Sequence, residues 1–317
     1  MDTGFACQLQ TQPALCAEIL AGLGKAQKRL PSKLFYDETG SKLFDAICEL
    51  PEYYITRTEV QIMRSHVAAM CSAHGSHLRL VELGSGSSLK TELLLGHLRQ
   101  ASYVPVDISG QHLLNAAERL RRLFPQHTIH PLAADFTEPL TLPASLPAAS
   151  ANLVYFPGST LGNFDPPEAR ILLRRIRGLA GDGGSLLIGV DLRKDIAVLE
   201  AAYNDCAGVT AAFNLNLLAR LNREYEADFR LEDFIHRAHY NERQGRIEMH
   251  LHSRCAQRFS ILGQSFDLTP GETLHTENSY KYSDEALDLV ARATGFSIEA
   301  RWTDPRSYFS VQRWAAV

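Results

Sequence analysis

Five short apolar runs, evenly separated by helix-length segments, constrain this chain more than any other feature. The runs are LRLVELG (78–84), SYVPVDI (102–108), TIHPLAADF (128–136), ANLVYFPGS (151–159) and SLLIGVDL (185–192), with KTELLLGHLRQ, SGQHLLNAAERLRRLF and PEARILLRRIRGLA between them. Strand and helix alternating in this way predict a parallel sheet with helices on both faces. After Leu192 the alternation stops. A helical stretch, DIAVLEAAYNDCAGVTAAFNLNLLARLNREYEADF, gives way to FIHRAHYNERQGRIEMHLHSR, a hairpin turning near residues 242–245, and TLHTENSYKYS is a further strand. Helix DEALDLVARATG follows from Asp284, and FSIEARWTDP and YFSVQRWAAV are two strands joined by an Asp-Pro turn. At the other end, LCAEILAGLGKAQKRL (15–30) has a helical rhythm, the aromatic- and turn-rich segment after it reads as a cap or lid, and helical spacing runs from Glu59 to His74. The expected fold class is α/β: a Rossmann-like sheet domain from residues 60–193 and 284–317, with a smaller α+β domain from 1–59 and 194–283. A ligand is expected in the cleft between them.

Composition narrows the function. The 317 residues are 45% apolar and 21% charged, which is ordinary for a globular chain. A net charge of −4 supplies no basic excess for a phosphate backbone, so no nucleic-acid partner is expected. No run approaches the ~20 apolar residues needed to span a bilayer, and MDTGFACQLQ lacks the basic-then-apolar order of a secretory signal. A cytoplasmic protein with no membrane partner, acting as a monomer on a small molecule, is the expectation. Cys7, Cys16, Cys48, Cys71, Cys206 and Cys255 form no CxxC pair and are expected to be reduced, mostly buried thiols. His236 with His239, and His250 with His252, raise the question of a metal. Neither pair comes with a third ligand or with Cys at zinc-like spacing, so structural histidines and no metal are expected.

The richest local stretch is LVELGSGSSLKT. Ligands of doubly wound sheets bind beyond the carboxyl ends of the strands, and Gly84 and Gly86 permit close backbone approach there. Leu89 replaces the last glycine of the dinucleotide fingerprint, which argues against NAD or FAD. Asp107 ends the second run 21 residues beyond Gly86, where a carboxylate commonly accepts ribose hydroxyls. Asp135 ends the third run as an acceptor for an exocyclic amine, beside Phe136, an aromatic plane for adenine. This describes a nucleoside pocket without a pyrophosphate cradle, which suits S-adenosylmethionine as cosubstrate, its carboxylate within reach of Lys90. Taken singly, Asp107 also reads as a turn or cap residue and Lys90 as a solvated helix charge. The closing helix and two-stranded finish are typical of class I S-adenosylmethionine-dependent methyltransferases.

LFYDETGSKLFDAICELPEYYITRTE, LVELGSGSSLKT, YFPGSTLGNF and HTENSYKYS, in this order, resemble the histidine-specific methyltransferases, the L-histidine Nα-methyltransferases of ergothioneine biosynthesis. The resemblance extends over nearly the whole chain. It implies three methyl transfers from S-adenosylmethionine to the α-amine of L-histidine, giving the trimethylated product hercynine. It further implies that Gly84, Lys90, Asp107, Asp135 and Phe136 hold the cosubstrate, to which the reading of the glycine turn adds Gly86. Asn163 and Tyr203 would grip the substrate carboxylate, Tyr53, Met249, Glu277 and Ser279 would form the imidazole pocket, and Tyr36 would lie by the amine. Tyr36 and Asn163 are thus the candidate catalytic residues. Asn278 departs from the family, which has an apolar residue there; on a strand it points to the opposite face.

The residue chemistry is compatible with these roles. Glu277 and Ser279 are two apart, so on a strand both face one way and can engage the two ring nitrogens of an imidazole. A phenol of pKa ~10 is protonated at neutral pH, so Tyr36 suits an orienting role rather than that of a base. Gly158 and Phe44 are candidates for walls that leave room for methyl groups. Blander readings stand beside these: Glu277 and Ser279 as an exposed strand face, Asn163 as a turn former after Gly162, and Tyr203 as helix packing. At the level of the whole chain, a methyltransferase for another amino acid or small amine, a dehydrogenase and a silent methyltransferase scaffold are the alternatives.

Overall fold

A computed structural model of the chain describes residues 6–8, 12–72 and 77–317. The elements in chain order are β1 (Ala6–Gln8), α1 (Gln12–Leu23), α2 (Glu38–Cys48), α3 (Tyr54–Cys71), β2 (Leu78–Leu83), α4 (Thr91–His97), β3 (Ala101–Asp107), α5 (Gly110–Leu123), β4 (Thr128–Ile129), β5 (Leu132–Ala134), β6 (Ala151–Phe156), α6 (Pro166–Ala180) and β7 (Ser185–Asp191). They continue with α7 (Ile196–Ala201), α8 (Val209–Glu224), β8 (Phe234–Asn241), β9 (Arg246–Ser253), β10 (Gln257–Ile261), β11 (Gln264–Leu268), β12 (Thr273–Tyr280), α9 (Asp284–Ala293), β13 (Phe296–Thr303) and β14 (Phe309–Ala316). The chain divides into two compact units, one of residues 1–9, 55–193 and 281–317 and one of residues 10–54 and 194–280. No helix among the described residues is long and apolar enough to cross a membrane.

In the first unit the strand order is β1-β5-β3-β2-β6-β7-β14-β13, with β4 also paired to β3. The pairs from β5 to β7 are parallel, and β14 runs antiparallel to both β7 and β13. This is a Rossmann-like order, in which successive strands are added to one side of β2 and then to its other side. Alternation sends Val154 and Phe156 to a fully buried face with Leu172, Leu173 and Ile176 of α6 and Leu287 of α9. Tyr155 points to the other face, where its hydroxyl donates to Met63 Sδ of α3 at 3.1 Å.

The second unit has a three-stranded antiparallel sheet, β12-β9-β8, and a separate hairpin of β10 and β11. A bulge in β12 between His275 and Glu277 shifts its register against β9. Helix α8 packs on α2, and the rings of Phe35 and Phe213 stack 4.5 Å apart. Asp37 caps α2 by accepting from Gly40 N at 2.7 Å and is held in turn by Asn216 and Arg223. Burial opposes its ionisation, but these donors win and hold its carboxyl below the usual range.

The segment after Pro31 contains α2, which packs on α8. Several local expectations are corrected. Run 128–136 is split into β4 and β5 at His130-Pro131, where proline offers no N–H to a ladder. The stretch after Asp195 breaks at residues 202–208, since the Asp205 carboxylate accepts from Val209 N and Thr210 N, each at 2.8 Å, and starts a new helix. Unit boundaries lie at 54/55 and 280/281 instead of 59/60 and 283/284, because α3 from Ile55 onward and Lys281 associate with the sheet, as does β1. The five cysteines whose side chains are described are free, yet none is fully buried, and Cys206 is exposed. The Cys7 side chain and residues His74 and 73–76 lie outside the described residues.

Candidate functional site

In the sheet unit, the loop after β2 is built on left-handed backbone. Gly84 has φ +70° and Gly86 φ +48°, conformations that cost a side chain about 1 kcal/mol or more. A Cβ on Gly84 would touch Phe136 Cε1 at 3.4 Å, whereas one on Gly86 would meet nothing within 4 Å. The protein therefore leaves room beside Gly86, next to an aromatic edge. Asp107, at the end of β3, closes the other side. Its Oδ2 accepts from Gly86 N and its Oδ1 from Ser109 N, both at 2.8 Å. Burial pushes its pKa up against those two bonds. A carboxylate has about four lone-pair sites, so acceptor capacity remains beyond these backbone bonds for a hydroxyl of a ligand. Asp135 is buried after β5, and its Oδ1 accepts from the N–H and hydroxyl of Thr137 at 2.9 and 2.5 Å. Phe136 is set edge-on to Phe156 at 5.6 Å and Phe164 at 6.5 Å. Gly84, Gly86, Asp107 and Phe136 thus come together around one turn, a room-and-acceptor arrangement that fits an adenosyl group.

Lys90 sits at the N-cap of α4, not one turn inside it, and its ammonium already has a protein partner. Its Nζ lies 2.6 Å from Oε2 of Glu59, a carboxylate with no solvent exposure. Glu59 also accepts from Gly158 N at 3.0 Å. Room for it comes from Gly189, where a Cβ would stand 2.1 Å from Glu59 Oε1. Glu59 thereby ties the Lys90 end of the glycine loop to the loop after β6 that carries Asn163. That second loop is fixed further by Ser159, at φ +60°, whose Oγ accepts from Asp191 N at 2.9 Å. Sequence reading missed Glu59. The available signal was a charge on the apolar stripe of α3, three and four positions before the buried Ile62 and Met63. It also missed the support beneath the glycine loop, where Glu82, pushed up to about 7 by burial, accepts from Tyr103, and Tyr103 meets Ser88 Oγ at 3.1 Å.

In the second unit, the expected substrate residues other than Asn163, which belongs to the sheet unit, form a connected group. Tyr36 meets Phe44 edge-on at 5.8 Å, Phe44 meets Tyr53 at 6.3 Å, and Tyr53 meets Tyr203 at 6.2 Å. The Tyr203 hydroxyl donates to Ser279 Oγ at 2.8 Å. Burial raises the Tyr53 pKa well above its usual value, and negative charge on neighbours including Tyr203, Tyr36 and Glu277 adds to the effect. Tyr53 is therefore a neutral hydroxyl at any physiological pH. Glu277 is half-buried and directly opposite Met249 in the β12–β9 ladder, so the two share a face with Ser279 and Ile247, while Asn278 pairs with Glu248 on the other. Tyr203 lies in the break between α7 and α8 and not within a helix. Its carbonyl bonds to His236 Nε2 at 2.8 Å, and His236 Nδ1 lies 2.9 Å from Asn214 Nδ2. His236 is thus the structural histidine that fixes Tyr203. That geometry depends on the strand pairing and has no local sequence signature.

The comparisons with known proteins agree with this chemistry. The profile of the family described as "Histidine-specific methyltransferase, SAM-dependent" matches residues 15–316. The chain is 42% identical over 304 residues to the histidine N-alpha-methyltransferase of Mycolicibacterium smegmatis, covering 94% of each chain. It is 41% identical to the enzyme of the same name from Mycobacterium tuberculosis, again covering 94% of each. Ergothioneine biosynthesis protein 1 of Neurospora crassa is 30% identical across 89% of this chain and 32% of its own length. This chain accordingly belongs to the S-adenosylmethionine-dependent, histidine-specific methyltransferase family.

Proposed function

We propose that the chain transfers three methyl groups from S-adenosylmethionine to the α-amino nitrogen of L-histidine, giving hercynine for ergothioneine biosynthesis. The single observation that carries the choice of substrate is the shared strand face of Met249, Glu277 and Ser279, joined to Tyr203 through the 2.8 Å hydroxyl bond. On this reading the Glu277 carboxylate accepts an imidazole N–H, and Ser279, as both donor and acceptor, serves the other ring nitrogen. Met249 supplies an apolar wall. Tyr53 adds a neutral hydroxyl, and Tyr203 and Asn163 donate to the substrate carboxylate.

When bound, S-adenosylmethionine supplies an electrophilic methyl carbon on a sulfonium. Gly84, Gly86, Asp107, Asp135 and Phe136 hold its adenosine portion. Lys90, neutralised in part by Glu59, offers its remaining N–H bonds to the amino-acid carboxylate. Displacement needs a neutral amine held in line at about 3–3.5 Å and little else, so positioning carries the rate. Tyr36 orients the amine through its hydroxyl, and the Phe44 ring beside it offers an apolar, polarisable face to a growing ammonium.

The test is incubation with S-adenosylmethionine and L-histidine, followed by mass analysis. Products carrying one, two and three added methyl groups are expected, with the trimethylated species dominant at completion. Accumulation of a monomethylated end product, or methyl transfer to other amino acids in preference to histidine, would overturn the proposal.

A further inference from the structure

The polar face of the β8–β9–β12 sheet, opposite the face of Glu277 and Ser279, gathers His239, Glu248 and His250. One ligand atom from each lies within 4.8 Å of the others. In register, His239 on β8 stands directly across from Glu248 on β9, and His250 follows two residues on, so all three project the same way. Glu248 Oε2 lies 3.6 Å from His239 Nε2 and 3.3 Å from His250 Nε2. Ligand atoms at zinc-like bond lengths of about 2.0–2.1 Å in a tetrahedron stand about 3.3–3.4 Å apart, so the two separations from Glu248 need little adjustment, and the two histidine nitrogens, within 4.8 Å of each other, complete the triangle by side-chain rotation.

The surroundings divide the labour of Glu248. Its Oε1 is taken by Arg246 Nε at 2.7 Å and Asn241 Nδ2 at 3.0 Å, which leaves Oε2 facing the histidines. His250 Nδ1 lies 3.0 Å from Thr273 Oγ1, a contact that orients Nε2 toward the cluster. His275 stacks on His250 at 4.5 Å, but its Nε2 is committed to the Glu277 carbonyl at 3.0 Å. His239, with a side chain 53% exposed, keeps a fourth position open to solvent.

We infer that His239, Glu248 and His250 form a binding site for a late first-row divalent cation of the zinc type, bridging β8 and β9. The sequence pairs His236/His239 and His250/His252 lacked a third ligand; strand pairing supplies Glu248 and selects one histidine from each. The site is separate from the methyl-transfer residues and does not depend on the proposed substrate.

The test uses the full chain stripped with chelator and titrated with cobalt(II) and then zinc(II), without substrates. One equivalent of cobalt is expected to give visible ligand-field bands that zinc abolishes, and zinc is expected to raise Tm by about 3 °C or more. His239→Ala, at a side chain 53% exposed, is expected to shift the metal-free Tm by no more than about 2 °C, to weaken binding at least tenfold and to remove the zinc-dependent shift. Absence of the bands in the unsubstituted chain, or bands of equal affinity in His239→Ala, overturns the assignment.

Discussion

Replacing Glu59 with alanine perturbs the joint between the glycine loop and the Asn163 loop. The carboxylate has no exposure and the Lys90 side chain only 19%, at 2.6 Å. Removing one partner of a buried pair costs about 3–5 kcal/mol, and the partial exposure of Lys90 places this case near ~3 kcal/mol. The orphaned Gly158 N–H adds about 1 kcal/mol. In a domain of this size that corresponds to a fall in Tm of about 8–16 °C. Glu59→Gln keeps an acceptor for Gly158 and is expected to lose roughly half as much. The double change Glu59→Leu with Lys90→Met removes both charges and should recover most of the loss, because a buried pair replaced by apolar groups is often near neutral. Thermal and urea melts of the four proteins measure this. A Glu59→Ala loss below about 0.5 kcal/mol would show that the pair contributes nothing and that the joint is held elsewhere.

Glu277→Ala is expected to lower kcat/KM for histidine by about 10–150-fold, the value of a charged hydrogen bond of about 1.5–3 kcal/mol, with S-adenosylmethionine affinity from calorimetry unchanged within about twofold. Asp107→Asn sets an amide N–H against Gly86 N–H or Ser109 N–H and is expected to weaken S-adenosylmethionine binding by at least about tenfold in the same titration. His250 and His275 are pushed down to about 4, mainly by burial. Unfolded histidine titrates near ~6.5, so on acidification the unfolded chain binds protons first; their contribution is complete above about 6.5 and is lost as pH falls toward about 4. Urea midpoints in chelator across that window are expected to fall, and His275→Asn is expected to flatten the slope; a slope unchanged in the variant contradicts this source.

The parallel sheet was legible because strands buried on both faces are continuous apolar runs, and their alternation with helices admits few topologies. The closing pair of strands was legible from its turn. The turn at Gly84 and Gly86 and the place of Asp107 at the end of β3 were legible because each directly follows or closes a continuous apolar run. What stayed hidden depends on contacts between residues far apart in the chain. Glu59 meets Lys90 across 31 residues and Gly158 across 99. The break that frees Tyr203 from a helix is an Asp205 cap indistinguishable, in sequence, from a solvated acid. The β12 bulge that aligns Glu277 with Met249 has no glycine to announce it. Hairpin β10–β11 is short and bears polar residues on its outer positions, so its alternation is weak.

Selectivity between histidine and phenylalanine tests the central claim most directly, since the two differ in the ring nitrogens that Glu277 and Ser279 are assigned to read. Leaving those two groups unsatisfied at about 1–3 kcal/mol each predicts that kcat/KM for phenylalanine, measured by methylated product mass, is lower by at least about 30-fold. Turnover of phenylalanine within a few-fold of histidine would contradict the account.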